Sequence, residues 1–159
     1  MLSIRPAQPA DVPSLLALIR ELAEFEKLAV RNSEQILLRD GFGPEPRYRA
    51  LIAEWDGQLA GYAFYFPFYS TFAGPGMFLE DLFVRRQYRS KQIGRALLSR
   101  VAAIAVEEGC FAMRWQVLDW NQPAIDFYKK LDADFLDQWR TVSLAGEPLR
   151  RVAKHGEAK

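Results

Sequence analysis

The spacing of hydrophobic positions changes several times along the chain, and each change marks an element. Leu2 and Ile4 alternate with polar residues up to Arg5, which predicts a first strand, and Pro6 to Pro9 turn the chain toward a helix. Val12, Leu15, Leu16, Ile19, Leu22 and Ala23 then recur at helical spacing, with Arg20, Glu21 and Glu24 off that face. Ser33 suits the N-cap of a short helix over Glu34–Asp40, which Gly41 would close. Tyr48–Trp55 and Gln58–Phe66 read as strands around Asp56-Gly57, a hairpin signal because both turn positions favour positive φ. Pro67–Gly76 reads as a loop.

The next stretch, Leu79–Leu98, combines three elements. Leu82, Phe83 and Val84 predict a buried strand and Arg85–Gln92 a loop, while Ile93, Leu97, Val101, Ile104 and Ala105 share one helical face. Backbone N–H groups of such a loop converge at a helix N-terminus, where orphan donors and the helix dipole favour phosphate oxygens. Arg85, Arg86, Arg89, Lys91 and Arg95 add positive charge around that point, although a basic turn before a helix is also, quite ordinarily, a solvated surface. Just upstream, Glu80-Asp81 interrupts an apolar strand, and carboxylates there need partners or a task.

Ala112–Leu118 predicts a further strand. Asn121 can cap a helix with Pro123 in its tolerant first turn and Ile125, Tyr128 and Leu131 on one face. Phe135–Leu144 reads as the last strands and Lys154–Lys159 as a loose tail. The order β, α, α, three strands, α, β, α, β predicts an α+β, mixed-sheet fold in one domain over residues 1–159, with a tail from about residue 146.

Composition narrows the function. Half of the 159 residues are hydrophobic, which argues for a globular core and against disorder. Lys and Arg number 21 against 20 Asp and Glu, so a net charge of +1 gives no global attraction to nucleic acid or membrane. With one cysteine, Cys110, there is no internal disulfide, and it reads as a small buried residue more readily than as a nucleophile. The one histidine, His155, lies in the polar tail, which leaves no material for a histidine triad or a zinc site, and no metal is expected. No signal peptide or apolar run of membrane-spanning length is present, so the expectation is a soluble cytoplasmic protein.

The runs IRPA, LEDLFV, the loop from Tyr88-Arg89 to Ile93-Gly94, and WNQPAIDFY resemble the GNAT superfamily of N-acetyltransferases. Within it the chain is similar to the diamine (spermidine/spermine) and thialysine acetyltransferases, over roughly residues 2–145. The resemblance implies the acyl-CoA N-acyltransferase fold, a twisted, splayed mixed sheet flanked by helices, with acetyl-CoA as acetyl donor between strands 79–84 and 112–118. It implies that Leu82, Phe83 and Val84 pair their backbone with the pantetheine arm, and that Arg89, Ser90, Lys91, Gln92, Ile93 and Gly94 form the pyrophosphate loop, followed by Arg95. Gln92 stands where that loop usually has its central glycine. If the position needs positive φ or close approach to phosphate, Gln imposes strain or crowding. Asp132 likewise replaces a usual glycine, and Asp tolerates the left-handed region better than most residues.

Tyr128 resembles the tyrosine that protonates the leaving thiolate, and a phenol suits a thiolate of comparable basicity. Taken alone it reads as a core aromatic. Asn121 resembles a coenzyme-contacting residue, although capping explains it equally well. The acceptor amine must be neutral when it attacks, and Glu80 occupies the place of the family's acidic residue for proton removal and amine binding. By strand alternation Asp81 falls on the other face, as a structural residue. Phe25 and Glu26 match the helix end that contacts the acceptor in the diamine enzymes, and Asp119 and Trp120 could line the same pocket. For Glu26 and Asp119 a solvated surface is an equal explanation.

The expected activity is acetyl transfer to a primary amine of a small molecule, a polyamine, diamine or thialysine/lysine-like compound, by direct attack in a ternary complex. The alternative is a CoA-binding or interaction protein of the same fold with little transfer, motivated by Gln92. The resemblance also implies a homodimer, to which Phe64–Phe72 could contribute a surface; nucleic-acid and membrane partners are not expected.

Overall fold

In the computed structural model the structure describes residues 1–156, in two compact units, Met1–Gln116 and the residues from Val117 onward. The first unit holds a five-stranded sheet in sequential order: β1 (Leu2–Pro6), β2 (Arg49–Trp55), β3 (Gln58–Ser70), β4 (Gly74–Val84) and β5 (Met113–Arg114). The first four strands pair antiparallel and β5 joins β4 in parallel, which makes the sheet mixed, as expected. Its helices are α1 (Val12–Glu26), α2 (Glu34–Phe42) and α3 (Ile93–Glu107).

β2 is buried on both faces, which is why ALIA shows no alternation. Ala50 and Ile52 join Val12, Leu15, Leu16 and Leu18 of α1, Leu37 of α2, Tyr62 and Phe83 in one core cluster. On α3 the buried residues are Ile93, Leu97, Leu98, Val101 and Ala105, and this helix packs against β2, β3 and β4. Ser33 caps α2 by accepting from the Ile36 N–H at 3.2 Å, and Asp56-Gly57 turn with φ of 51° and 74°, both as the sequence predicts. α2 runs two residues past Asp40, through Gly41, because a glycine there lets Tyr48 approach: a Cβ would meet the Tyr48 ring 2.4 Å away. The Tyr48 hydroxyl donates to the Leu37 carbonyl at 2.7 Å.

Several expectations are corrected. The predicted Pro67–Gly76 loop is mostly a longer hairpin, with Pro67 opposite Met77. β2 ends its pairing at Tyr65, so beyond that residue β3 has a free edge where a missing N–H costs no ladder bond. The strand expected over Ala112–Leu118 is two residues long; its pairing with β4 stops at Phe78–Arg114, just before β4 bulges.

The second unit contains α4 (Gln122–Lys129) and α5 (Gly146–His155). Phe135–Leu144 forms no strand: among the described residues this unit has none, so its backbone has no ladder to join. Gly146–His155 is helical where a polar tail was expected. Residues 157–159, the end of that predicted tail, lie outside the described residues.

Candidate functional site

Across β3 and β4, Phe64 pairs with Asp81 and Tyr65 with Leu79, so Glu80 is an extra residue, a β-bulge. The bulge changes which face the following residues take. Asp81 comes to lie on the same face as Phe83, opposite Phe64 and diagonal to Tyr62, and both Glu80 and Asp81 line one cavity of about 410 Å³ with Ile19, Asn32, Phe64 and Phe66. The expectation that alternation sends Asp81 to the other face as a structural residue is therefore corrected. The Tyr62 hydroxyl donates to Asp81 Oδ2 at 2.8 Å.

Glu26, at the end of α1, belongs to the same electrostatic group. Its carboxyl is pushed up by burial and by Asp81. Glu80 is exposed as a residue, but its carboxyl is pushed up by desolvation from the groups packed around it, then by Asp81 and Glu26. Burial raises Asp81 as well, against the opposing hydrogen bond from Tyr62. Within this unit no basic side chain forms an ion pair with any of the three. Two carboxylates lining one cavity, with a third coupled to them and no basic partner, attract a cation. Phe25, next to Glu26, is exposed, with the Arg89 guanidinium carbon 5.5 Å from its ring centroid.

Beyond Phe78 the other edge of β4 is not paired with β5, so Leu82, Phe83 and Val84 pair only with Ala63, Tyr62 and Gly61 of β3. Such an edge can pair with an extended ligand. The loop that follows holds two non-glycine residues in the left-handed region, Ser90 at φ 67° and Gln92 at φ 61°, ψ 11°. Gln92 is the N-cap of α3, and the first intrahelical bond runs from the Ala96 N–H to the Gln92 carbonyl at 2.9 Å. The N–H groups of Ile93, Gly94 and Arg95 precede that bond and are available to an anion. A Cβ at Gly94 would meet only Val84 Cγ2, at 3.7 Å, so the space above this turn is open. These features fit a pyrophosphate group.

The five basic residues near the loop are not equivalent. Arg85 is committed: its Nε lies 3.0 and 3.1 Å from the two Glu21 oxygens, and its Nη1 donates to the Leu59 carbonyl at 3.0 Å. Arg89 Nε donates to the Val84 carbonyl at 3.2 Å, and Lys91 Nζ sits 4.4 Å from the Trp55 ring centroid. Arg86 and Arg95 are exposed.

In the second unit, Asn121 Oδ1 accepts from the Ala124 N–H at 3.4 Å, so it does cap α4. Asp119 and Trp120 lie in the turn before it, where Trp120 is exposed. Tyr128 is buried, its ring centroid 5.4 Å from that of Phe127. Asp132 takes φ 56°, the left-handed conformation expected for it.

Tyr62, Asn32, Ile19, Phe64 and Phe66 carry no mark of a site in the sequence. Tyr62, Ile19 and Asn32 read as ordinary core and loop positions and Phe64 and Phe66 as part of a contact surface, and the bulge that gathers them around the carboxylates has no sequence signal of its own.

The chain is similar to curated and solved proteins over nearly its whole length. It is 41% identical to the thialysine N-epsilon-acetyltransferase of Bos taurus and 39% identical to that of Sus scrofa, each over 94% of this chain and 96% of the relative. It is 35% identical to the human spermidine/spermine N(1)-acetyltransferase-like protein 1, over 94% of this chain but 23% of that longer protein. Among solved structures, an integron cassette protein from the mobile metagenome of V. cholerae superposes with a TM-score of 0.80 at 24% identity, covering 96% of this chain and 98% of the other. An aminoglycoside N-acetyltransferase in complex with CoA superposes at 0.72 and 19% identity, over 92% of this chain and 95% of the other, which bears on fold alone. The model of the acetyltransferase (GNAT) family matches residues 16–133, so the chain belongs to that family of N-acetyltransferases.

Proposed function

We propose that this enzyme transfers the acetyl group of acetyl-CoA to a primary amine of a small cationic acceptor, either a thialysine/lysine-like compound or a di- or polyamine. The observation that carries the acceptor class is that Glu80 and Asp81 line one cavity, with Glu26 electrostatically coupled to them and no basic side chain of their unit paired with any of the three. The names of the most extensive relatives support a thialysine-like acceptor, and the carboxylate cluster accommodates polyamines as well.

In this reading the acceptor nitrogen, once it has lost its ammonium proton, attacks the acetyl carbon directly in a ternary complex, and the new C–N bond forms as the C–S bond breaks. The second proton that the nitrogen sheds as the amide forms reprotonates the phenolate left when Tyr128 protonates the thiolate. Glu80, its proton affinity raised by desolvation and by two neighbouring carboxylates, takes the ammonium proton through a water. Tyr128 gives its phenol proton to the departing thiolate. Leu82, Phe83 and Val84 offer backbone partners to the pantetheine arm. The donor's pyrophosphate is held by Arg89, Ser90, Lys91, Gln92, Ile93 and Gly94, with Arg95, and Asn121 is a further coenzyme contact. Glu26 and Asp81 attract the acceptor, and Phe25, Asp119 and Trp120 contribute to its binding. A cytoplasmic homodimer belongs to the same proposal; at the β3–β4 tip, Phe72 is fully exposed and Tyr69 is 76% exposed, which supports an apolar contact there.

The test incubates the protein with acetyl-CoA and, separately, thialysine, lysine, 1,3-diaminopropane, spermidine and an aminoglycoside, following free thiol and acetylated product by mass. Thiol release with a lysine-like compound or a polyamine is expected. Coenzyme binding with no release from any of these amines overturns the reading.

A further inference from the structure

We propose that Tyr62 is a positioning residue for the acceptor pocket, its phenol holding Asp81 as an oriented, ionised carboxylate that receives a second cationic group of the acceptor. This rests on the proposed amine acetylation, and deepens it.

The geometry is specific to the bulge. In an unbroken ladder Asp81 would stand opposite Ala63; with Glu80 as the extra residue it stands opposite Phe64, on the face that carries Tyr62. Tyr62, with 0% of its surface exposed, then reaches Asp81 Oδ2 at 2.8 Å. Among the described residues no buried side-chain oxygen lacks a partner and no other hydrogen bond engages this carboxylate, so Oδ1 is the oxygen left to the cavity. A buried phenol whose one polar atom is spent on a carboxylate does more than fill space. It fixes the carboxylate's rotamer and favours its charged form in a place where burial disfavours it.

The titratable groups coupled to Asp81 come from three elements: Tyr62 on β3, its hydrogen-bond donor, and Glu80 on its own strand and Glu26 at the end of α1, whose carboxyls it pushes up. Tyr62 is the only donor among them at neutral pH, because its own phenol is pushed far up by burial and by Asp81 and stays protonated. Asp81 in turn opposes ionisation of Glu80 and Glu26. The phenol thus divides the labour within the carboxylate group. Asp81 is kept charged for binding, while Glu80, with no such donor, keeps a raised proton affinity for proton removal.

The test compares wild type with Tyr62→Phe, Asp81→Asn and the double variant, by thermal melting, carbon-13 NMR titration of the Asp81 carboxyl, and steady-state kinetics between pH 6 and 8. Tyr62→Phe should stay folded, move the Asp81 midpoint upward, and raise acceptor KM about three- to tenfold near pH 6, the loss of one charge-assisted hydrogen bond. kcat and the KM for acetyl-CoA should stay within about twofold. In the Asp81→Asn background, Tyr62→Phe should add no further loss of KM. An unmoved Asp81 midpoint, or a KM loss that persists without the carboxylate, overturns the proposal. If no amine is acetylated, the acetylation reading fails on its own, and the NMR midpoint still decides whether Tyr62 controls Asp81. Should Tyr62→Phe not fold, Asp81→Asn alone must raise acceptor KM with a loss independent of pH over this range; an unchanged KM overturns the proposal equally.

Discussion

Gly94, in the first turn of α3, approaches Val84 at the end of β4 so that a Cβ on the glycine would meet Val84 Cγ2 at 3.7 Å and nothing nearer. That is ordinary van der Waals distance, so protein packing does not demand a glycine here. Gly94→Ala should therefore melt no lower than wild type, and helix propensity favours it by up to about 1 kcal/mol. If the open space receives pyrophosphate, the same substitution weakens coenzyme binding at least severalfold. Calorimetric titration with CoA checks the second half, and an unchanged affinity would move the pyrophosphate away from this turn.

Gln92 tests the neighbouring position in the opposite direction. Its φ of 61° carries the left-handed cost that a Cβ imposes, and Ser90 at 67° repeats it two residues earlier in the same loop. Gln92→Gly should raise stability by about 1 kcal/mol, which is about 2–4 °C in Tm for a chain of this size. A lower Tm would mean that the Gln side chain makes a contact worth more than the strain. Coenzyme affinity, titrated in parallel, should also rise if that side chain crowds the phosphates.

The contrast between these loops and the acidic strand shows what was legible in the chain. Ser33, Asp56-Gly57 and Asn121 act through their own backbone and side-chain chemistry over a few residues, and all three do what their types imply. The strand-to-helix turn before Ile93 is likewise local. Asp81 is different. Its face depends on one extra residue in a pairing between strands, and LEDLFV alternates equally well with or without it. Arg85 is a similar case, since its commitment to Glu21 joins residues 64 apart. Phe135–Leu144 departs from its expected strands for the reverse reason: β-favouring residues specify a strand only where a neighbour can pair with it.

The carboxylate cluster makes a stability prediction with a definite sign. Glu26, Glu80 and Asp81 all have folded-state proton affinities raised above the ordinary carboxylate range, chiefly by desolvation. Between the unfolded and folded pKa values the native state binds more protons, so their contribution to stability is fully present at acid pH and is lost as pH rises through the folded values. Glu80→Gln should melt higher than wild type at pH 7–8, with the gap closing toward about pH 4. Glu108, held down by its hydrogen bonds from Arg49, carries the opposite sign. Glu108→Gln should melt lower at pH 7, and that gap too should close as pH falls. Melting curves of both variants across one pH series read the two signs together; parallel curves for Glu80→Gln would remove the electrostatic coupling from the cluster.

Tyr128 separates a structural role from a chemical one. It lies near the C-terminal end of α4, where its carbonyl accepts from the N–H groups of Leu131 and Ala133 at 3.0 and 3.3 Å, and its ring packs on Phe127. Tyr128→Phe keeps the carbonyl and the ring and removes one hydroxyl, so α4 should form as before, with a melting temperature within a few degrees of wild type. If the phenol protonates the thiolate, kcat should fall by about 100-fold, the lower part of the usual range for a general acid, while the KM for acetyl-CoA hardly moves. A donor whose thiol is already a good anion needs little protonation, so an acetyl thioester of an acidic aryl thiol should lose much less rate in the variant than acetyl-CoA does. Equal losses for both donors would assign the hydroxyl to packing or orientation, and an unchanged rate with acetyl-CoA would take it out of the reaction.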